Sequence, residues 1–412
     1  EISECLVGSE MCIRDRQLSM QISQRAKNIQ PSATLALSTR ANAMRAEGID
    51  VINLTVGEPD FQTPKNIRDA AIAAINDGKA DSYTPVLGIK ELREKVAEVT
   101  NKDYNTNFTS DNVAVTTGGK FALYAIAQCL LNQGDEVIIP LPYWVSYGEQ
   151  IKLSDGKPVF VKPSKELKVT ASDLESARTD KTVAMILNSP QNPSGLVYTK
   201  EELEEIGNWA VKNDIVIICD DMYGKLVYNG TQFVSLMDLS DDIRKQTILV
   251  SGLSKSYAMT GWRVGYAVAD AEFIKKIAAV AGHSTSNLTA VSQYAALEAL
   301  NGDQSSVSTM REAYEERLNK IYEELKEIPG FVFDSKPQGA FYLFPNVAKA
   351  AELVGCSNVS EFAEFLLEKA HVAVVPGVAF GMSDYIRISY AASLDNLEEA
   401  VKRIKMFVEE RK

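Results

Sequence analysis

Short β-branched apolar runs alternate with longer helical patterns between about residues 110 and 270. In "TKEELEEIGNWAVKND", for example, Thr199 and Glu202 have the spacing of a capping box, while Leu203 and Ile206 share one helical face. Such alternation is typical of a parallel sheet, and runs that are apolar throughout indicate strands covered by helices on both faces. The predicted strands are residues 113–115, 137–139, 159–161, 183–187, 215–219, 248–250 and 264–268.

The pattern changes after about residue 305. A long charged helix, "STMREAYEERLNKIYEELKEI", precedes short predicted strands around "GFVFD", "AFYLF", "VAVVP" and "YIRISYA". In the last helix Leu397, Val401, Ile404 and Val408 share one face. The sequence therefore predicts an α/β protein, in which a large domain with a mostly parallel seven-stranded sheet between helices is joined to a smaller α+β domain.

Four segments are predicted along the chain. Residues 1–19, "EISECLVGSEMCIRDRQLS", have neither helical nor strand periodicity and are interpreted as a non-native extension, with Met20 as the native start. We expect residues 20–60 to form an N-terminal arm and part of the small domain, residues 61–305 the large cofactor-binding domain, and residues 306–412 the C-terminal small domain.

Charge and composition narrow the classes of partner. The 412 residues carry a formal net charge of -12, which disfavours a nucleic-acid surface but leaves room for a local basic pocket that binds a small anion. No apolar run approaches the roughly 18 residues of a spanning helix, so no membrane partner is expected. Five cysteines without metal-like spacing favour a reducing, cytoplasmic location and no metal site.

Chemically versatile residues follow several of the predicted strands. In an open α/β sheet, ligands bind outside the carboxyl ends of the strands, so residues just after different strands converge there. Each candidate also has an ordinary structural interpretation. The glycines could form a turn into a buried helix and the asparagines a turn-rich segment, while Asp220 and Asp221 could be a solvated pair and Lys255 a surface lysine. The residues are Gly118, Gly119, Lys120, Asn188, Asn192, Asp220 and Lys255.

Together with Arg263, these residues match the needs of an aldehyde cofactor that has a ring nitrogen and a phosphate. A lysine amine forms a Schiff base, here Lys255, and an acid such as Asp220 keeps a ring nitrogen protonated. An arginine and a helix N-terminus hold a phosphate, the roles expected of Arg263 and of the turn at residues 118–119, although Arg263 could instead belong to a structural ion pair.

Competing chemistries lack their motifs. No GxGxxG follows a strand and no GxxxxGK[ST] occurs, which disfavours dinucleotide and nucleoside-triphosphate binding. Only two histidines are present, with neither HExxH nor GxSxG, so zinc hydrolysis and a serine triad are poorly supported.

Nearly all of the chain after Met20 resembles the class I aminotransferases, which depend on pyridoxal 5'-phosphate and have the fold called type I. The resemblance is to the bacterial aspartate aminotransferases of the aspartate/prephenate subgroup. It implies a homodimer with shared active sites that acts on amino acids and 2-oxo acids. The motifs that carry it, in order, are "VGEPDFQTP", "YTPVLGIKELR", "TTGGK", "PYWVSY", "NSPQNPSG", "SKSYAMTGWRVGY" and "YIRISYA".

The resemblance assigns roles around the cofactor. Lys255, Asp220 and Tyr223 are the catalytic residues: Lys255 bonds to the cofactor and moves the Cα proton, Asp220 pairs with the pyridine nitrogen, and Tyr223 faces the ring oxygen. Trp144 would stack on the ring. The remaining cofactor contacts implied are Asn192 to the ring oxygen, and Gly118, Gly119, Arg263 and the neighbouring subunit's Tyr83 to the phosphate.

It also implies a substrate site. Arg387 would bind the α-carboxylate bidentately, with the Gly57 backbone at the same end, and Lys120 would bind the distal carboxylate. Trp144 and Asn192 would contact the substrate as well. The expected reaction moves the amino group of L-aspartate to 2-oxoglutarate, giving oxaloacetate and L-glutamate by a ping-pong mechanism.

Three alternatives stay open. The protein could be an aminotransferase for aromatic or other neutral amino acids, a lyase that uses the same cofactor and fold, or a non-catalytic regulator that binds the cofactor. Such regulators carry a DNA-binding domain ahead of this one, for which we expect no room.

Gln30 stands where prephenate-using relatives carry lysine, which disfavours prephenate activity, and Asp221 stands where many relatives have glutamate.

Overall fold

The computed structural model describes residues 20–411, so the predicted extension at residues 1–19 lies outside the described residues. Twelve strands form within this range, in one large and two small sheets. The strands are β1 (Ile52–Asn53), β2 (Val113–Thr117), β3 (Glu136–Pro140), β4 (Lys157–Val161), β5 (Thr182–Asn188), β6 (Val216–Asp220), β7 (Thr247–Gly252), β8 (Val264–Val268), β9 (Tyr342–Leu343), β10 (Val372–Ala373), β11 (Val375–Pro376) and β12 (Ile386–Ser389).

Fifteen α-helices connect and cover the strands of residues 20–411. The helix predicted from Thr199 and Glu202 forms with its capping box in place. The helices are α1 (Gln24–Lys27), α2 (Ala33–Ala46), α3 (Lys65–Asn76), α4 (Lys90–Tyr104), α5 (Gly118–Leu130), α6 (Ser146–Leu153), α7 (Ala171–Ala177), α8 (Lys200–Lys212), α9 (Asp241–Lys245), α10 (Ala271–Gly282), α11 (Ala290–Asn301), α12 (Ser305–Lys326), α13 (Ala348–Leu353), α14 (Val359–Ala370) and α15 (Leu394–Glu409).

The large sheet contains the seven strands predicted from the apolar runs. Its order is β2-β8-β7-β6-β5-β3-β4, and only β8 runs antiparallel to its neighbours, so the predicted mostly parallel seven-stranded sheet is confirmed. Asn188 and Asp220 are register partners at the ends of β5 and β6. The carboxyl ends of the central strands therefore form one edge, where the candidate residues lie.

Both faces of this sheet are buried, because successive side chains of a strand point to opposite sides. In β2, Val113 and Val115 pack into one apolar core, while Ala114 packs into the core on the other face. Helices α4, α8 and α11 contribute to the first core, and α5, α6 and α10 to the second. This double coverage explains why the strands are apolar throughout.

Of the two small sheets, one joins the N-terminal part of the described chain to its C-terminal part, and the other lies within the C-terminal part. β1 pairs in parallel with β10, and β9 and β11 flank β12 in antiparallel pairs. Ile52 and Leu54 share an apolar core with residues of the C-terminal helices, including Leu397 and Val401 of α15 as predicted. The exact domain boundaries at residues 60 and 305 stay a prediction.

The strand predicted at residues 330–334 is wrong. Only Val332 pairs there, in a single bridge with Asn346, and its side chain is 58% exposed. Val332 and Asn346 exchange both of their backbone hydrogen bonds, but the pairing does not extend to the residues on either side.

Of the helices within residues 20–411, none combines the length and apolar composition that crossing a membrane requires. The cytoplasmic location stays a prediction.

Candidate active site

A cavity of about 570 Å³ lies at the carboxyl edge of the large sheet, where β9 and β12 also approach it. Eleven of the thirteen residues that the sequence singled out for the site line this cavity. They are Gly57, Gly119, Lys120, Trp144, Asn188, Asn192, Asp220, Tyr223, Lys255, Arg263 and Arg387.

The other two, Gly118 and Tyr83, lie elsewhere. Gly118 does not line the cavity. Its backbone has a φ of +75°, and its N–H donates a hydrogen bond to the carbonyl oxygen of Arg263 at 3.0 Å. A Cβ at this position would collide with the Arg263 guanidinium, so the glycine lets that side chain lie close. Tyr83 is 91% exposed and does not reach the cavity of its own chain. Its predicted role in the neighbouring subunit stays a prediction.

Lys255 lies in the segment that follows β7 and faces the cavity. Its Nζ donates a hydrogen bond to the carbonyl oxygen of Gly57, and the alternative of a surface lysine is therefore wrong. Burial lowers the pKa of the Lys255 amine to about 8, the charge of Arg387 lowers it as well, and Glu58 opposes the change. A useful fraction of this amine is neutral near neutral pH and can act as a nucleophile or base.

Asp220 ends β6 and is buried at the cavity floor. The Tyr147 hydroxyl donates to its Oδ2 at 2.6 Å, and the Met222 N–H donates to Oδ1 at 3.1 Å. Burial raises the pKa of Asp220, and the hydrogen bond from Tyr147 opposes that rise. Tyr147 was missed by the sequence reasoning, although "PYWVSY" contains it.

Asp221 is also buried, so the alternative of a solvated aspartate pair is wrong. Its carboxyl turns away from the cavity and accepts hydrogen bonds from the Cys219 thiol at 2.8 Å and the Ser235 hydroxyl at 2.6 Å. Burial raises the pKa of Asp221 to about 7. The two adjacent aspartates therefore have separate environments on opposite sides of the chain.

Arg387 lies on β12 with only 4% of its surface exposed. Its Nη1 donates to Oδ1 of Asn192 at 3.0 Å and its Nη2 to the carbonyl oxygen of Thr55 at 2.8 Å. Among residues 20–411 no carboxylate pairs with it, and its buried Nε has no hydrogen-bond partner. A buried cation without a counter-ion is costly, which indicates that an anionic ligand completes this end of the cavity.

A second cation, Lys120, also lines the cavity and lies at the start of α5. Its Nζ lies 4.9 Å from the centre of the Trp144 ring, a cation–π distance. Burial and the nearby Arg263 lower the pKa of Lys120. Gln150 donates to the Lys120 carbonyl oxygen at 2.8 Å and fixes the backbone.

The region around Arg263 has hydrogen-bond donors that could bind a phosphate. Arg263 has φ 56°, a left-handed conformation, and its Nη1 donates to the carbonyl oxygen of Thr260 at 2.9 Å. It forms no ion pair within the described part of the chain, so the alternative of a structural ion pair is wrong. The exposed guanidinium beside the N-terminus of α5 leaves donors for an anion.

Tyr342, on β9, is a cavity residue that the sequence reasoning missed. Its hydroxyl lies 2.7 Å from that of Tyr223, and both phenols are buried. Its strand was predicted from "AFYLF", but the pattern shows only an apolar run and gives no signal of a site.

The fold and this cavity define an enzyme in which a partly buried lysine shares the cavity lining with the buried Asp220 and with Lys120, Arg263 and Arg387. A sequence model of the family described as aminotransferase class I and II matches residues 49–404. The chain belongs to this family, and the predicted resemblance and fold class are confirmed.

Named relatives cover nearly the whole chain. An asparagine--oxo-acid transaminase of Streptococcus mutans serotype c is 50% identical over 391 residues, which is 94% of this chain and 99% of the relative. An aspartate aminotransferase of Bacillus sp. (strain YM-2) is 50% identical over 389 residues, again 94% and 99%. The crystal structure of the aspartate aminotransferase from Rhizobium meliloti superposes with a TM-score of 0.91 at 38% identity, covering 96% of this chain and 100% of that one.

Proposed function

We propose that this protein is a pyridoxal 5'-phosphate-dependent aspartate aminotransferase, which transfers the amino group of L-aspartate to 2-oxoglutarate and gives oxaloacetate and L-glutamate by a ping-pong mechanism. The observation that carries this proposal is that the buried, unpaired Arg387 and a second cation, Lys120, line one cavity together with Lys255. Two cations in one cavity suit a substrate with two carboxylates. The names of the aspartate aminotransferase relatives support the same substrate.

The residues of the cavity fit the cofactor. Lys255 provides an amine of lowered pKa for the covalent link, Asp220 provides a buried acid for the ring nitrogen, and Arg263 with the N-terminus of α5 provides phosphate donors. When bound, pyridoxal phosphate supplies an electron-withdrawing ring that stabilises negative charge at the substrate Cα. Trp144 provides an aromatic surface on the same wall.

Arg387, Lys255 and Asp220 have separate roles in the proposed reaction. Arg387 binds the α-carboxylate, which also supplies the partner that its Nε lacks, and Asn192 keeps its guanidinium oriented. Once the substrate amine has displaced Lys255 from the cofactor, the Lys255 Nζ would take the proton from the substrate Cα as general base and donate it to the cofactor as general acid. Asp220 would keep the ring nitrogen protonated, and Tyr147 keeps that carboxylate in place.

A second candidate donor is L-asparagine, because a relative at 50% identity is an asparagine--oxo-acid transaminase. The two donors differ only at the distal group, where a carboxylate is replaced by an amide. Lys120 discriminates between them, since its charge attracts a carboxylate more strongly than a neutral amide.

A panel of amino donors with 2-oxoglutarate tests the assignment. Borohydride reduction followed by peptide mapping should place the cofactor on Lys255, and Lys255→Ala should abolish turnover. Lys120→Ala should lower kcat/KM for aspartate by at least about tenfold, while asparagine and neutral donors change little. The matched control is Lys369→Ala, which removes another lysine that lies over an aromatic ring, Phe365, outside the cavity. Equal losses for all donors would contradict the dicarboxylate assignment, and absence of bound cofactor would contradict the whole proposal.

We also propose a homodimer in which Tyr83 completes the phosphate site of the partner. Its 91% exposure in a single chain supports a contact outside that chain. Mixing inactive Tyr83→Ala and Lys255→Ala subunits should restore activity, because a hybrid dimer has one site with both residues intact. Mixtures that stay inactive, although hybrids form, would contradict the shared site.

A further inference from the structure

Tyr342 lies between the cofactor end of the cavity and the end proposed to bind the substrate carboxylate. Its hydroxyl is 2.7 Å from the hydroxyl of Tyr223, which faces the cofactor end. Its ring lies against Arg387 at the carboxylate end, with the guanidinium carbon 4.5 Å from the ring centre. One fully buried side chain thus contacts both a predicted cofactor ligand and the predicted carboxylate ligand.

The backbone fixes this arrangement. β9 and β12 are antiparallel neighbours, and Tyr342 is the register partner of Ser389. Arg387 is two residues before Ser389 on β12, so it points to the same face of the sheet and is a diagonal neighbour of Tyr342. The Phe380 ring packs against the guanidinium as well, 4.9 Å from its carbon. Tyr342 therefore has little freedom to leave either partner.

The hydrogen bond between the two phenols restricts how Tyr223 can act. A phenol has one hydrogen to donate but can accept through its oxygen. Burial raises the pKa of both phenols, so each keeps its hydrogen at neutral pH. If Tyr342 donates to the Tyr223 oxygen, the Tyr223 hydrogen is free to point into the cavity. If Tyr223 donates instead, its single hydrogen is used within the protein.

Backbone lies close to one side of the Tyr342 hydroxyl. A Cβ added to Gly57 would lie 3.2 Å from the Tyr342 hydroxyl oxygen, so backbone closes that side. Lys255 also donates to the Gly57 carbonyl, which places the amine, the glycine and both phenols around one point. The Tyr342 hydroxyl thus lies beside the Tyr223 hydroxyl, with the Gly57 backbone close on one side.

We propose that Tyr342 is a positioning residue for the reaction. Its hydroxyl donates to the Tyr223 oxygen and so directs the Tyr223 hydrogen to the ring oxygen of the cofactor, while its ring supports Arg387 under the substrate carboxylate. This inference rests on the proposed function. It assigns two separable contributions to one side chain, one from the hydroxyl and one from the ring.

Two variants separate these contributions in the cofactor-loaded protein. Tyr342→Phe removes only the hydroxyl and should weaken pyridoxal phosphate binding by about five- to tenfold, as expected for one buried hydrogen bond, with the dissociation constant measured by equilibrium dialysis. Succinate, a dicarboxylate that does not react, should bind within about twofold of wild type in a spectral titration, because the ring remains. Tyr342→Leu should weaken the binding of both molecules.

A double-mutant cycle with Tyr223→Phe tests whether the Tyr342 hydroxyl affects cofactor binding through the Tyr223 hydroxyl. Once Tyr223 has no hydroxyl, adding Tyr342→Phe should change cofactor affinity by less than about twofold. The matched control is Tyr390→Phe, which removes a buried hydroxyl that donates to the Ala340 carbonyl at 3.3 Å in the same core but outside the cavity. It should leave both dissociation constants unchanged.

The inference is overturned if Tyr342→Phe binds the cofactor as wild type does, or if its full effect persists in the Tyr223→Phe background. It is also overturned if Tyr390→Phe weakens cofactor binding equally, since the effect is then one of general stability. Should Tyr342→Phe not fold, Tyr342→Leu must still weaken succinate binding. Failure of the proposed function is a different result, because wild-type protein would then bind no pyridoxal phosphate.

Discussion

The lowered pKa of Lys255 makes the reactivity of its amine strongly dependent on pH. With a pKa of about 8 in place of 10.5, about 10% of the amine is neutral at pH 7, compared with about 0.03% for an ordinary lysine. At pH 7 the neutral, reactive fraction of Lys255 should therefore be about 300-fold larger than that of an unperturbed lysine. The rate of its reaction with an aldehyde should rise about tenfold per pH unit below pH 8 and level off above it.

The assay removes the cofactor and follows the return of pyridoxal phosphate by absorbance between pH 6 and 10, with borohydride trapping and peptide mapping to identify the lysine. Arg387→Gln serves as a comparison: it removes a positive charge that lowers the pKa of Lys255, so the plateau should move to higher pH. A rate that still rises tenfold per unit above pH 9, or an adduct on Lys120, would refute the reasoning.

The same lowered pKa affects folding stability. Between pH 8 and 10.5 the unfolded chain holds the Lys255 proton more tightly than the folded protein without cofactor does. The contribution of this group to stability therefore rises with pH across that window and is constant outside it.

Four substitutions test other parts of the structure. Arg387→Lys should weaken succinate binding by about 10- to 100-fold in a spectral titration, because a point charge replaces a planar fork; a change within twofold would contradict the carboxylate role. Tyr147→Phe should raise the pKa of Asp220 further and weaken pyridoxal phosphate binding by about fivefold in equilibrium dialysis, and unchanged affinity would show that this hydrogen bond is dispensable. Gly265→Ala should lower both the melting temperature and cofactor affinity, since its Cβ would collide with the backbone at the start of α5; normal values for both would contradict that close approach. Thr199→Ala should lower the free energy of unfolding by about 1 kcal/mol without changing cofactor affinity, and a loss of affinity would mean that the cap of α8 acts on the site.

Much of the large sheet and of the site could be predicted because the signals are local. Strands buried on both faces have continuous apolar sequences, and Asp220 and Lys255 stand out because they follow such strands. By contrast, residues 330–334 form one isolated bridge instead of a strand, which a run of apolar residues does not reveal.

Contacts between distant parts of the chain explain what the sequence reasoning missed. Tyr342 and Tyr223 are 119 positions apart, and Arg387 and Thr55 are 332 positions apart. In the sequence, Tyr342 is one aromatic residue among several in an apolar strand. Its importance comes from the neighbours that the fold gives it.

The meeting of the two chain ends has a consequence for synthesis on the ribosome. Lys255 and Arg263 emerge well before β12, whereas β10 and Arg387 are made later. A polypeptide that ends before β12 thus has Lys255 and Arg263 but lacks Arg387, and leaves Thr55 without its guanidinium partner. Under the proposed function, turnover cannot begin before β12 has been made.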